Sequence, residues 1–224
     1  MLRARVVMVV GLLFAVAGTS PASAQDNDWG GFIGFGGSFP VSDARDSFKD
    51  GWSFTGGVAR NFSEKFALQA DYSFNRYGLD NKLFAGTDLA GTHTQQNIFL
   101  NAVIFTNSVD RSSLYFVAGG GATHRNVEVT RFAGFAGGIV CNPWWLVCYP
   151  GAVPVEQILG SQSTWDPGFN VGLGFQVPLG GGSAKFFVES RYQYIRGDEF
   201  ENPITDQKER GNTQNITVVG GFRF

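Results

Sequence analysis

Asp71, Glu189, Arg191 and Arg223 are the few charges carried by otherwise amide- and hydroxyl-rich stretches of this 224-residue chain. Two carboxylates and two guanidiniums could hold a polar substrate, or could neutralise one another as an internal ion-pair network. Their formal charges cancel, and the structural network is the expected role. His93 and His124 are the only imidazoles. General-base chemistry of the Ser-His-acid kind would need a serine and a carboxylate beside one of them, and the sequence sets neither there. Cys141 and Cys148 are the only thiols. The absence of a His or carboxylate between them argues against a metal chelate. There is no nucleotide-binding loop, CxxC pair or HExxH stretch. The expectation is no catalytic residue, no metal and no cofactor.

The elements that position these residues begin after a targeting segment. Arg3 and Arg5 precede an apolar run from Val6 to Val16, and Ala22-Ser23-Ala24 offers a cleavage site, so residues 1–24 read as a signal peptide. The run is shorter than the roughly 20 apolar residues of a membrane-spanning helix. Residues 25–224 then form one domain, with fifteen Lys and Arg against nineteen Asp and Glu, a net charge of −4. With no basic tract to neutralise phosphates, nucleic acid is excluded as a partner. Export makes Cys141 and Cys148 read as one disulfide around "CNPWWLVC", the alternative being two separate thiols.

Period-two alternation runs through this domain. Along "FALQADYSFNR", Phe66, Leu68, Ala70, Tyr72 and Phe74 share one face, with Gln69, Asp71, Ser73 and Asn75 on the other. "NIFLNAVIF", "GFNVGLGFQV", "KFFVESRYQY" and the terminal "NITVVGGFRF" repeat the pattern. Glycine-rich segments at 30–39, 51–61 and 113–124 bring the count to eight strands, with no helical periodicity anywhere. Short turns at 62–65, 107–112 and 178–184 alternate with longer links at about 40–50, 78–93, 125–162 and 197–211. An antiparallel meander with its long links at one end predicts an eight-stranded up-and-down transmembrane β-barrel. Ten strands are the alternative, if the 125–162 segment joins the wall through "NVEVTRF" and "VPVEQI".

Alternation alone does not say which face is outside; charge does. A water-facing surface should carry roughly a quarter or more Lys, Arg, Glu and Asp. The polar faces here hold only the four balanced charges, as a packed interior requires. The apolar faces therefore meet lipid, with Phe66, Phe105, Phe222 and Phe224 expected as an aromatic girdle at the turn end. Tyr77, Trp165 and Tyr194 are expected to form the girdle at the loop end.

The signal segment, the eight alternating strands, "FFVESRYQYI" and the terminal "VVGGFRF" resemble the small outer-membrane β-barrel proteins of Gram-negative bacteria, the outer-membrane protein A and X type. The resemblance implies an integral outer-membrane protein with extracellular long loops. Its partners would be outer-membrane lipids and lipopolysaccharide, a host or surface ligand, and the barrel-insertion machinery, which reads Phe222 and Phe224. A porin-like open pore is not expected, because eight strands enclose only enough room for side chains. The implied role is structural or surface-interacting, in adhesion or envelope integrity. The alternatives are a lipid A-modifying enzyme using a loop-side histidine, or a small low-conductance channel. In the 125–162 link, Trp144, Trp145 and Leu146 form an apolar tip suited to ligand contact, or to folding over the barrel mouth or touching the outer leaflet.

Overall fold

A computed structural model describes residues 29–42, 44–79, 89–142, 147–180, 183–201 and 208–224. The signal segment and Trp144, Trp145 and Leu146 lie outside the described residues. Eight strands close a barrel: β1 (Trp29–Pro40), β2 (Gly51–Ser63), β3 (Phe66–Gly78), β4 (Leu89–Phe105), β5 (Ser113–Asn142), β6 (Val147–Pro178), β7 (Lys185–Ile195) and β10 (Thr213–Arg223). Every neighbouring pair is antiparallel, and the last strand meets the first with Phe32 opposite Arg223 and Pro40 opposite Asn215. Closure leaves no sheet edge in the wall, which is the condition for crossing hydrocarbon with strands. The ten-stranded alternative is therefore incorrect. The remaining strands, β8 (Glu199–Glu201) and β9 (Lys208–Arg210), pair only with each other in the last link.

Burial is inverted relative to a water-soluble barrel. Asn97 and Asn101 of β4 are 0% exposed, whereas their neighbours Ile98 and Leu100 are each 55% exposed. The same alternation orders β3, β7 and β10, with Gln69, Asp71, Glu189, Arg191 and Thr217 inside. The glycine-rich strands, whose facing their sequences leave open, point Phe32, Ser38, Ser53, Thr55, Tyr115 and Thr123 inward. From Phe66 to Arg76 the outward apolar band spans about the 9–11 residues that a tilted transmembrane strand needs.

Two girdle expectations fail. Tyr77 and Phe105 are 2% and 3% exposed and lie inside the barrel. Each follows a residue whose side chain must face out, so the pleat turns it in. Phe105 joins Ala67, Val103, Val109, Tyr115 and Val117 in an apolar cluster at the turn end. The 106–112 turn folds Val109 into that cluster, and Gln176 Nε2 donates to Val109 O at 2.6 Å. The 179–184 turn is opened by Gly180 in the left-handed region (φ 67°), a conformation costly for any residue with a Cβ.

Within the described residues the 125–162 segment is strand: it continues β5 and β6, and beyond Arg131 forms a two-stranded ribbon with Cys141 opposite Cys148. β4 stops pairing with β5 at Arg131, and β7 begins pairing with β6 at Gly168. Eleven residues beyond Arg131 take the ribbon about 35 Å past the last neighbour of β5. The ladder slips at Phe132/Gly134, where Gly134 (φ 109°) accommodates the irregularity. A second departure is a short helix, α1 (Ala44–Ser47), in the β1–β2 link. Four residues are too few to show a 3.6-residue period.

Leu100→Arg, in the middle of the outward face of β4, is expected to cost about 2–4 kcal/mol. Reversible guanidinium unfolding in phospholipid vesicles measures it. Asn107→Arg, in an exposed turn, should leave the midpoint unchanged.

Candidate functional site

The interior is layered. Above the turn-end apolar cluster, β3 and β7 bring Asp71, Glu189 and Arg191 together because their inward pleats meet across the narrow lumen. Arg191 Nη1 donates to Asp71 Oδ2 at 2.5 Å, and Arg191 Nε donates to Glu189 Oε1. Asp71 Oδ2 also accepts from Asn101 Nδ2 at 2.7 Å and Gln69 Nε2 at 3.0 Å, and Asn170 Nδ2 donates onward to Asn101 Oδ1 at 2.8 Å. All three charged residues are at most 5% exposed. Charges so far from water persist only when paired and hydrogen-bonded.

Arg223 has a different environment from the ion-pair membership its charge suggests. Its guanidinium carbon lies 5.0–5.8 Å from the ring centres of Phe32, Phe105, Tyr115 and Phe187. Its nitrogens donate to Gln176 Oε1 and Gln69 Oε1, both at 3.2 Å. The aromatic faces stabilise the cation, and Gln69 links it to Asp71. The cage draws on residues from β1, β4, β5 and β7, a convergence that no local sequence signal reveals.

A cavity of about 10 Å³ adjoins the ionic layer, lined by Ser53, Thr55, Ser73, Glu189, Arg191, Gln193, Thr217 and Val219. It is the size of one water, far below that of a substrate. Side chains therefore obstruct the lumen at this level.

Towards the loop end lies a cluster that sequence reading missed. Arg125 Nε donates to Asp166 Oδ2 at 2.7 Å, and its Nη1 donates to Gly211 O at 2.6 Å and Thr213 Oγ1 at 2.9 Å. Thr164 Oγ1 donates to the same Asp166 oxygen at 2.7 Å. The signal was present: Arg125 continues the inward alternation of Thr123, but a reading that ends the strand at residue 124 discards it.

The histidines stand on opposite faces of the wall. His93, in the interior of β4 rather than at its start, is 1% exposed and shares a 2.9 Å hydrogen bond with Gln95 Nε2. His124 pairs with Gln96 on the outward face. Its ring lies 5.0 Å from that of Trp165, and its Nε2 is 3.4 Å from Ser163 Oγ. No hydrogen bond from His124 to a carboxylate occurs among the described residues. Nor do the described residues hold a cluster of three or more His, Cys, Asp or Glu side chains placed for a metal.

Outside, Trp165, Phe222 and Phe224 are more than half exposed, and Trp52 stacks on Phe35 and lies tilted against Phe74, with ring centres 6.0 and 5.2 Å away. Tyr194 lies 5.3 Å from Phe169 on the same outward surface. Rings at both ends of an apolar band are what lipid interfaces favour. Asp71→Ala would leave Arg191 buried with one carboxylate. The expected loss is about 3–5 kcal/mol in guanidinium unfolding, with no change in the mass or composition of co-purified lipid.

Residues 10–224 match the model of the outer membrane protein beta-barrel domain. Among solved structures, Ail of Yersinia pestis, crystallised with the heparin analogue sucrose octasulfate, is similar over 88% of this chain and 97% of its own, at 15% identity and a TM-score of 0.47. Neisserial surface protein A aligns over 88% and 96% of the two chains at 13% identity and 0.47, and the protease OmpT of Escherichia coli over 92% and 99% at 10% and 0.39. No curated protein matches. The family match over most of the chain, joined to the closed eight-stranded wall and its lipid-facing apolar band, makes this an integral outer-membrane protein: the chain belongs to the outer membrane protein beta-barrel domain family.

Proposed function

We propose that the protein is a non-enzymatic surface-interaction barrel, with a closed lumen, whose working part is the β5–β6 ribbon. The observation that carries this is the ribbon itself. It runs far past the barrel wall, and residues 132–155 contain no charge in 24 positions. Phe135 and Ile139 on it are 70% and 72% exposed. A long apolar projection costs solubility and is retained where it meets a partner. In this reading Trp144, Trp145 and Leu146 form the contact tip. A Cys141–Cys148 disulfide frames it, supported by their facing positions in the ladder, and lowers the entropy lost on docking. Residues 132–155 offer no cations to a polyanion, so the ligand would present apolar or protein surface. Adhesion or envelope integrity both fit this placement.

The same reading sets the ribbon and the other long links outside the cell and the short turns in the periplasm. Lipopolysaccharide would contact the outward belt of Trp52, Trp165 and Tyr194, and the insertion machinery would read Phe222 and Phe224. The ionic triad of Asp71, Glu189 and Arg191, with Arg223 in its cage, is a structural network that fills the lumen. Planar bilayers should then show no stepwise conductance.

One observation favours a second reading. The His124–Ser163 contact lies on the lipid-facing side, where an enzyme acting on lipid A would need it. If so, His124→Ala would change the lipid A mass spectrum of expressing cells; identical spectra with and without the protein would remove this class.

Trp144→Ala with Trp145→Ala is expected to abolish binding to target cells or matrix while the heat-dependent shift in gel migration stays intact. Without reductant, the purified chain should contain no thiol reactive towards alkylating reagents, and reduction should expose two.

A further inference from the structure

We propose that the β1–β2 link is an acid-released strap over the barrel mouth, held shut by the neutral form of His93. The strap leaves β1 through Ser42, a non-glycine residue in the left-handed region (φ 56°). It then packs α1 against β1 and β10, with Ala44 buried. It is tied at its two ends by Val41 N donating to Gln214 O of β10 at 3.0 Å and Lys49 N donating to Gly78 O of β3 at 2.8 Å. A single bridge joins Phe48 to Leu79. Phe48 rests on His93, with ring centres 4.5 Å apart and planes at 22°, and the Tyr77 ring lies 5.7 Å from the same imidazole. Tyr77 is itself fixed by a 2.5 Å hydrogen bond shared with Ser38. The strap therefore stands on an imidazole above the apolar band, three residues loopward of the outward-facing Gln96.

The surroundings of that imidazole favour its neutral form. Nε2 meets the Gln95 amide, but Nδ1 is buried with no hydrogen-bond partner. A second ring proton would therefore have no acceptor. The charged group acting on it is Arg125 of β5, a like charge paired to Asp166 of β6. Tyr77 of β3 is the titratable group packed on it, Gln95 is its neutral neighbour on β4, and the strap's own Arg45, Asp46, Lys49 and Asp50 are exposed. Cation–π attraction to Phe48 would offset part of the cost, but it supplies no acceptor. Burial, and secondarily Arg125, hold the imidazole down at about 4 from an ordinary 6.5. Because the closed-state value is depressed, the closed strap is favoured above pH 6.5 and loses that advantage as pH falls towards 4. At pH 4.5 the closed form should weaken on the order of 50-fold.

Hydrogen exchange of the full chain in lipid nanodiscs tests this at pH 7.5 and 4.5, corrected for intrinsic rates. In the unaltered chain, protection of the Phe48 and Lys49 amides should fall on the order of 50-fold at pH 4.5, with wall strands unchanged. His93→Gln should keep the strap protected at both values. Should that variant fail to fold, imidazole NMR of the unaltered chain gives the second test, with His124 as internal control: His93 should titrate together with strap release. An equal loss in His93→Gln would overturn the proposal by showing that a group other than His93 carries the response. So would a strap that opens while His93 stays neutral, or one that stays shut once His93 is charged.

Discussion

Hydrocarbon offers no hydrogen-bond partner, and the rest of this structure depends on that constraint. Every backbone donor and acceptor at membrane depth must find its partner in the wall, so the sheet has to close. The β1–β10 seam accomplishes closure, with Gly34 and Gly36 of β1 opposite Gly221 and Val219 of β10. Once closed, the pleat admits only two destinations for a side chain, lipid or lumen. A one-residue slip would move every side chain of a strand to the wrong one. At the seam such a slip would turn Arg223 out of its cage onto the outward surface beside Phe222 and Phe224.

The lumen must then be filled, and its layers follow from distance to water. At the turn end, the inturned Val109 and the ring cluster around Arg223 form a floor. In the middle, Arg191 is held by two carboxylates and the amides that brace them. Near the mouth, Arg125 and Asp166 are tied to the backbone of the last link. Such a network adds little stability over a well-packed apolar core.

The two ends of the molecule differ in kind for the same reason. The short turns are bound into the floor, and their geometry serves the wall. At the other end β5 and β6 outrun their neighbours, and beyond the wall the ribbon has no lumen for either face to fill. Its freedom from charge is therefore a feature of its exposed surface, with no counterpart in the membrane-facing requirement. The strap over the mouth, with Phe48 set on His93, joins this outer region to the interior network through Tyr77 and Ser38.

Much of this was legible in the residues. Strict alternation in "FALQADYSFNR" and its counterparts determined the strands, their facing and the wall, because a period of two admits only one assignment once lipid and lumen are distinguished. The sparse, balanced charges determined which face was which. The same alternation sets Tyr77 and Phe105 on the inward face, but their ring chemistry, which suits an interface as well as a packed interior, pointed to the girdles instead. Alternation could not place the glycine-rich strands, which carry too few side chains to show a face. The partners of Arg223, the Arg125–Asp166 pair and the stacking of Phe48 on His93 were decided by tertiary structure alone. These contacts join residues from strands far apart in the chain, and only closure of the barrel brings them within reach of one another.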